Sequence, residues 1–136
     1  VPTFYTRLLE TPELNKDITH HMRLFISGSA PLLAETHREW RARTGHAILE
    51  RYGMTETNMN TSNPYEGDRI AGTVGFPLPG VEVRITDQES AKTLPQNEIG
   101  MIVEKDDSFG GAIWLKVLIR DGFSWFDSRH LMCISS

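Results

Sequence analysis

Apolar side chains fall on one side of the first ten residues. Phe4, Leu8 and Leu9 repeat at helical spacing over 1–10, with Pro2 in the first turn, where a missing N–H costs nothing. Thr11-Pro12 ends that helix. Leu24-Phe25-Ile26 is a continuous apolar run inside 23–27 and predicts a short strand buried on both faces. Gly28-Ser29-Ala30-Pro31 reads as a turn, and Pro31 is suited to open a helix over about 32–44. In that helix Leu33, His37, Trp40 and Thr44 share a stripe, Glu35/Arg38 and Glu39/Arg43 can pair on exposed positions, and Gly45 stands at the C-terminal cap. Residues 47–52 predict a second strand. Strand, turn, helix, strand is a βαβ unit, which favours a parallel sheet with helices on its faces.

The pattern changes after Thr55. Residues 58–69 hold Asn58, Asn60, Ser62, Asn63, Pro64, Gly67 and Asp68 and predict a long polar loop. Gly72, Gly75, Pro77, Pro79 and Gly80 read as turns. Val81-Glu82-Val83-Arg84-Ile85 alternates and predicts a half-solvated strand, followed by a polar connection over 87–97 and a strand over 99–103. A boundary near Gly80 divides an α/β portion, 1–80, from the start of a β subdomain, 81–102. Residues 103–136 form a tail whose apolar run at 112–119 can pair as a strand or stay exposed. There is no internal repeat.

Composition narrows the classes. A chain of 136 residues is one domain or part of a larger one. Lys and Arg total 14 against 18 Asp and Glu, a net charge of −4, and no basic block marks a nucleic-acid or anionic-membrane surface. With 39% hydrophobic and 24% charged residues the profile is globular. No apolar run approaches the ~20 residues of a membrane-spanning helix. Cys133 is alone, so no internal disulfide forms, which fits the cytoplasm or another reducing compartment. The first residue is Val1, inside a helix and with no signal peptide before it, as expected of an internal fragment.

In open parallel sheets ligands bind beyond the carboxyl ends of the strands. Two loops qualify here, 28–31 and 53–57. The first offers small residues and a helix N-terminus, which admits a flat ligand and favours anions. The second joins a ring, a hydroxyl and a carboxylate in Tyr52-Gly53-Met54-Thr55-Glu56, which suits a base, a phosphate and Mg²⁺. An ordinary pair of turns explains the same spacing. A nucleophile elbow at Ser29 is a rival, but its G-x-S-x-G pattern needs glycine where Ser27 and Pro31 stand, and no partner beyond His130 suggests itself. His20-His21 cannot share a helix face and reads as a solvated helix end; His37 reads as a packed side chain. Trp40, Trp114 and Trp125 read as core aromatics and Cys133 as inert. Gly72-Thr73-Val74-Gly75 lacks the third glycine of a dinucleotide loop and reads as a turn.

Tyr52-Gly53-Met54-Thr55-Glu56-Thr57 resembles the core motif of the AMP-forming acyl-CoA synthetases and other adenylate-forming ligases. Gly28-Ser29-Ala30-Pro31-Leu32 resembles their adenine loop, and the stretch from Gly72 to Gly80 their glycine- and proline-rich motif. The string ERYGMTETNMNTSNP is similar, more narrowly, to the malonyl-CoA synthetase (malonate–CoA ligase) branch. The resemblance covers about 1–102. It implies an α/β fold: part of the large N-terminal domain of an adenylate-forming enzyme, a βαβ portion followed by antiparallel, barrel-like strands. It also implies a two-step reaction, in which malonate or a related short carboxylic acid is adenylated by ATP and the acyl group passes to coenzyme A. By motif position, Gly28, Ser29, Ala30, Pro31, Tyr52, Gly53, Met54 and Thr55 bind the nucleotide. Thr55 and Glu56 serve the phosphates, and Glu56 holds Mg²⁺.

A dicarboxylate keeps one carboxylate free while the other reacts, and arginine meets that charge with a permanent, bidentate partner. Arg51 is placed for this, with Ser29 in the facing loop; pairing of Arg51 with Glu50 or Glu56 is the alternative. The family's phosphate loop is expected before Val1, and its ribose-binding aspartate and catalytic lysine after 102. None of the three is recognisable here, and 103–136 match no family text, as a truncated or frame-shifted reading would. The chain alone is therefore expected to be inactive. A non-catalytic nucleotide- or partner-binding fragment is the other expectation.

Overall fold

The computed structural model describes residues 1–55, 57–87, 89–90, 92–94, 101–106, 113–117 and 131–132, the last three segments as backbone. The chain opens with α1 (Pro2–Leu9), a short α2 (Lys16–Thr19) and β1 (Ile26–Ser27). Then come α3 (Ala34–Thr44), β2 (Leu49–Met54), β3 (Asn58–Ser62) and β4 (Thr73–Pro77). The second half supplies β5 (Val81–Thr86), β6 (Met101–Asp106), β7 (Ile113–Val117) and β8 (Leu131–Met132).

β1 and β2 are parallel, with Ile26 opposite Leu49 and Ser27 opposite Glu50, and α3 connects them. The predicted βαβ unit is present, though β1 is shorter than expected. It lies at the edge of the sheet β1-β2-β3-β4-β8, and Ile26 is 46% exposed rather than buried on both faces. An edge strand has a neighbour on one side only, so its apolar run is not covered on all sides.

α3 begins at Ala34, three residues beyond Pro31. Leu32 is buried in the core, the backbone stays extended through Leu33, and the His37 N–H to Leu33 carbonyl bond at 3.1 Å opens the helix. Gly45 ends it in the left-handed conformation (φ 79°), donating to the Arg41 carbonyl at 2.9 Å. Of the predicted stripe, His37, Trp40 and Thr44 are buried and Leu33 is exposed. Arg43 does not pair with Glu39. Its guanidinium donates to the carbonyls of Leu9, Thr11 (2.7 Å) and Leu14 (3.0 Å), at the end of α1 and in the turn after it.

The core between α1, α3 and the sheet is Tyr5, Leu14, Leu32, Trp40 and Ile48, with Leu9 and Phe25 packed against it. Tyr5 and Phe25 meet the Trp40 ring edge-on, at centroid distances of 4.8 and 5.0 Å. The Tyr5 hydroxyl donates to the Ile26 carbonyl at 2.6 Å, and burial pushes its pKa up from 10.0 to about 12.

Two predicted irregular segments are strands. The start of the expected 58–69 loop is β3, antiparallel to β2, and the Gly72–Gly75 turn is largely β4, antiparallel to β3. Asn60, Thr61, Asn63 and Thr73 are buried, so this part of the sheet is built on polar side chains that composition assigns to loops. After β4 the chain enters a second sheet, β5-β6-β7, all antiparallel. β5 alternates half-buried Val81, Val83 and Ile85 with exposed Glu82 and Arg84, as predicted. β8 returns to pair with β4, so the chain after residue 103 contributes a strand to the first sheet. Trp125 and Cys133 lie outside the described residues, as does the side chain of Trp114.

Candidate functional site

The loop after β1 and the segment β2–β3 meet at one point. A Cβ on Gly28 would stand 3.3 Å from the Arg51 carbonyl oxygen and 3.4 Å from both Arg51 Cγ and Cζ, so the arginine lies directly over that glycine. Only a residue without a side chain fits there undisturbed. Ser29 follows at φ 70°, in the left-handed region, and is exposed, as are Ala30 and Pro31. A non-glycine residue held at positive φ is costly and is found where the surroundings demand it. Among the described residues Ser29 makes no hydrogen bond to a histidine, and His130, the partner that the elbow reading would use, lies outside them.

Arg51 is half-buried. Its guanidinium donates to the Met59 thioether at 2.8 Å, a weak acceptor, and it has no carboxylate in ion-pair range among the described residues. Pairing with Glu50 does not occur: Glu50 Oε1 is 3.0 Å from His37 Nδ1 and accepts the Gly72 N–H at 3.3 Å. Because strand side chains alternate, Glu50 faces α3 while its neighbour Arg51 faces the Gly28 loop.

Tyr52 is half-buried and opposite Thr61 in the ladder. The register shifts between Tyr52 and Gly53, and a Cβ on Gly53 would overlap the Asn58 carbonyl, so the motif glycine is where β3 presses against β2. The turn closes with Thr57 N–H donating to the Met54 carbonyl at 3.3 Å, and Asn58 takes φ 60° to leave it. Thr55 is exposed on this turn. Thr57 is buried, its hydroxyl accepting from Asn60 Nδ2 at 2.7 Å, which ties the turn to β3. Glu56 lies outside the described residues.

The structure thus brings Gly28 and Arg51 into contact and places Gly53 and Met54 at the end of β2, with Thr55 on the turn that follows. Ser29 and Arg51 are not hydrogen-bonded to each other. Among the described residues no three His, Cys, Asp or Glu side chains gather as a metal cluster. Mg²⁺ needs no such cage, since it takes one or two carboxylates together with substrate phosphates and water. The exposed Thr55 hydroxyl, next in sequence to a carboxylate, is oxygen-donor chemistry that fits it. Among the described residues no helix is long and apolar enough to cross a membrane.

The network His37–Glu50–Gly72, extended by Asn63 and Thr73, escaped the sequence reading. Its signal was present: an acid two positions from Tyr52 in a strand, facing a histidine on the buried stripe of α3.

Comparison with known proteins bears on the whole of this region. The family described as "AMP-binding enzyme" matches residues 1–110. A malonate–CoA ligase of Arabidopsis thaliana is 43% identical over 133 residues, covering 91% of this chain and 21% of its own. That span exceeds 1–102 and enters the tail that motif reading leaves unmatched. The crystal structure of ATP-bound MatB from Rhodopseudomonas palustris is similar with a TM-score of 0.75 at 71% identity, over 77% of this chain and 21% of its own. A malonyl-CoA ligase in a product complex with methylmalonyl-CoA and AMP gives a TM-score of 0.65 at 45% identity, over 77% of this chain and 23% of its own. This chain therefore spans about a fifth of the length of these relatives.

Proposed function

The chain belongs to the AMP-binding enzyme family, and we propose that it carries the acid- and nucleotide-binding loops of an ATP-dependent ligase that joins malonate, or a related short dicarboxylate, to coenzyme A. In the first step a carboxylate oxygen attacks the α-phosphorus of ATP and the bond to pyrophosphate breaks. In the second the CoA thiolate adds to the acyl carbonyl and AMP leaves. The difficulty of the first step is charge: an anion must approach a polyanion. Positioned donors and a divalent cation relieve it.

Each loop has a part in that scheme. The 28–31 loop, exposed from Ser29 to Pro31, and Tyr52 flank the adenine; the small residues let the ring approach the backbone. Gly53 and Met54 hold the β2–β3 turn so that the Thr55 hydroxyl can donate to a phosphate oxygen. Glu56 would hold Mg²⁺, which when bound neutralises phosphate charge as the new P–O bond forms. Arg51 and Ser29 receive the carboxylate that does not react.

The observation that carries this reading is Arg51 itself. A half-buried guanidinium held over Gly28, with a thioether as its acceptor and no carboxylate in ion-pair range among the described residues, is a cation suited to receive an anion beside the nucleotide motif. Malonate-dependent ATP–pyrophosphate exchange tests it. Arg51→Met is expected to lower exchange by roughly a hundredfold or more, the loss that follows truncating one member of a desolvated charge pair. Unchanged malonate-dependent exchange in that variant would refute the assignment. The alternative is a nucleotide- or partner-binding segment without turnover. ATP binding by equilibrium dialysis with no exchange under any short carboxylate would select it.

A further inference from the structure

Behind Arg51 lies a buried polar cluster that the proposed reaction leaves unused. Glu50 is 1% exposed and His37 2%, with His37 Nδ1 3.0 Å from Glu50 Oε1. The same oxygen accepts the Gly72 N–H at 3.3 Å. The Glu50 carbonyl accepts twice more, from the Asn63 backbone N–H at 3.0 Å and from Asn63 Nδ2 at 3.1 Å. Asn63 Nδ2 also donates to the Thr73 carbonyl at 2.6 Å. One residue of β2 is thereby tied to α3, to the turn before β4 and to the segment leaving β3.

Stability is a weak reason for this arrangement. A buried pair of ionisable side chains is often no better for stability than an apolar pair of the same size. Here Glu50 Oε2 has no hydrogen-bond partner among the described residues, which is an added cost. Placement does account for it. Arg51 is the next residue, on the same rigid strand, opposite Ser62 in the ladder, and Ser62 adjoins Asn63. One residue further on, the bulge between Tyr52 and Gly53 breaks the register. The tether therefore reaches Arg51 and stops short of the 53–57 turn.

We propose that Glu50, held by His37 and Gly72, is a positioning residue for Arg51: it sets where the guanidinium stands over Gly28, and so governs affinity for the acid substrate without governing affinity for the nucleotide. The substrate half of this statement rests on the assignment of Arg51 made above; the geometric half does not.

The test uses the full chain as wild type, Glu50→Gln, Glu50→Ala, His37→Ala and His37→Gln, each checked for folding by circular dichroism. Labelling with p-hydroxyphenylglyoxal, mapped by mass spectrometry, reads the reactivity of Arg51 against exposed Arg38. Relative Arg51 labelling is expected to change about fivefold in Glu50→Ala and His37→Ala, while Glu50→Gln, whose one remaining carbonyl oxygen can take the place of Oε1, stays near wild type. If an alanine variant does not fold, His37→Gln decides, with a change in the same direction. An Arg51 rate that stays at the wild-type level overturns the proposal whether or not malonate is the substrate. Where wild type catalyses malonate-dependent exchange, Glu50→Ala is expected to raise the malonate KM about tenfold at constant ATP KM. A fall in kcat alone, or equal rises in both KM values, also overturns it. Absence of exchange in wild type counts against the ligase reading only, and the labelling ratio then decides the positioning role.

Discussion

At the scale of single residues, the glycines that matter are those where another strand's backbone occupies the space of a side chain. Gly75 combines φ 75° with a Cβ position that overlaps the Ser62 carbonyl and the Asn63 nitrogen. Gly67 also has positive φ (99°) but open space around it. Gly75→Ala therefore pays for both conformation and collision, and is expected to cost about 3–5 kcal/mol, against about 1 kcal/mol for Gly67→Ala. Urea denaturation midpoints of the two variants check the difference; equal midpoints would remove the steric explanation. Spacing along the chain predicts a turn at Gly75. Its actual role, close approach inside a strand, depends on which backbone lies opposite, and no spacing rule encodes that.

Among elements, α3 was the most legible and β3 the least. α3 declares itself through paired charges, a buried stripe and Gly45 in the capping conformation. β3 is spelled Asn-Met-Asn-Thr-Ser, yet Asn60 and Thr61 are fully buried, because hydrogen bonding within a sheet satisfies the backbone whatever the side chains are. Arg43 shows the same limit on α3. Expected to pair with Glu39, it instead satisfies three carbonyls at the end of α1 and the turn after it. Arg43→Met should therefore lower stability by about 2–3 kcal/mol, more than loss of a surface ion pair would, since charge-assisted bonds to backbone carbonyls are removed. Amide exchange in residues 9–14 should accelerate in that variant while the β2–β3 pair keeps its protection. Uniform acceleration, or none, would contradict the local account.

Across the whole molecule, one hydroxyl joins the N-terminal helix to the edge of the sheet. Tyr5 sits in the core against Trp40 and donates to the Ile26 carbonyl. Its pKa is raised from 10.0 to about 12 by burial, so the folded state binds the phenolic proton more tightly than the unfolded one. The resulting contribution to stability is complete below pH 10 and disappears as pH rises towards 12. Wild type should therefore lose stability across that window relative to Tyr5→Phe, which itself should be about 1 kcal/mol less stable at neutral pH for want of the hydrogen bond. Parallel curves of the two proteins against pH would show that the phenol does not ionise differently on folding.

Residues close together in the chain were enough for the family, the α/β order of the first half, the helix α3 and the alternating strand β5. These are matters of local periodicity and of short motifs whose residues are contiguous. Tertiary structure alone decided that 58–62 and 73–77 are strands, that Ile26 is at an edge, and that Glu50 turns to His37 while Arg51 turns to Gly28. It did so because a neighbouring strand pairs the backbone of these segments whatever their side chains are, and because the imidazole and backbone amide that meet Glu50 come from other elements, so each neighbour is chosen by the fold rather than by adjacent residues.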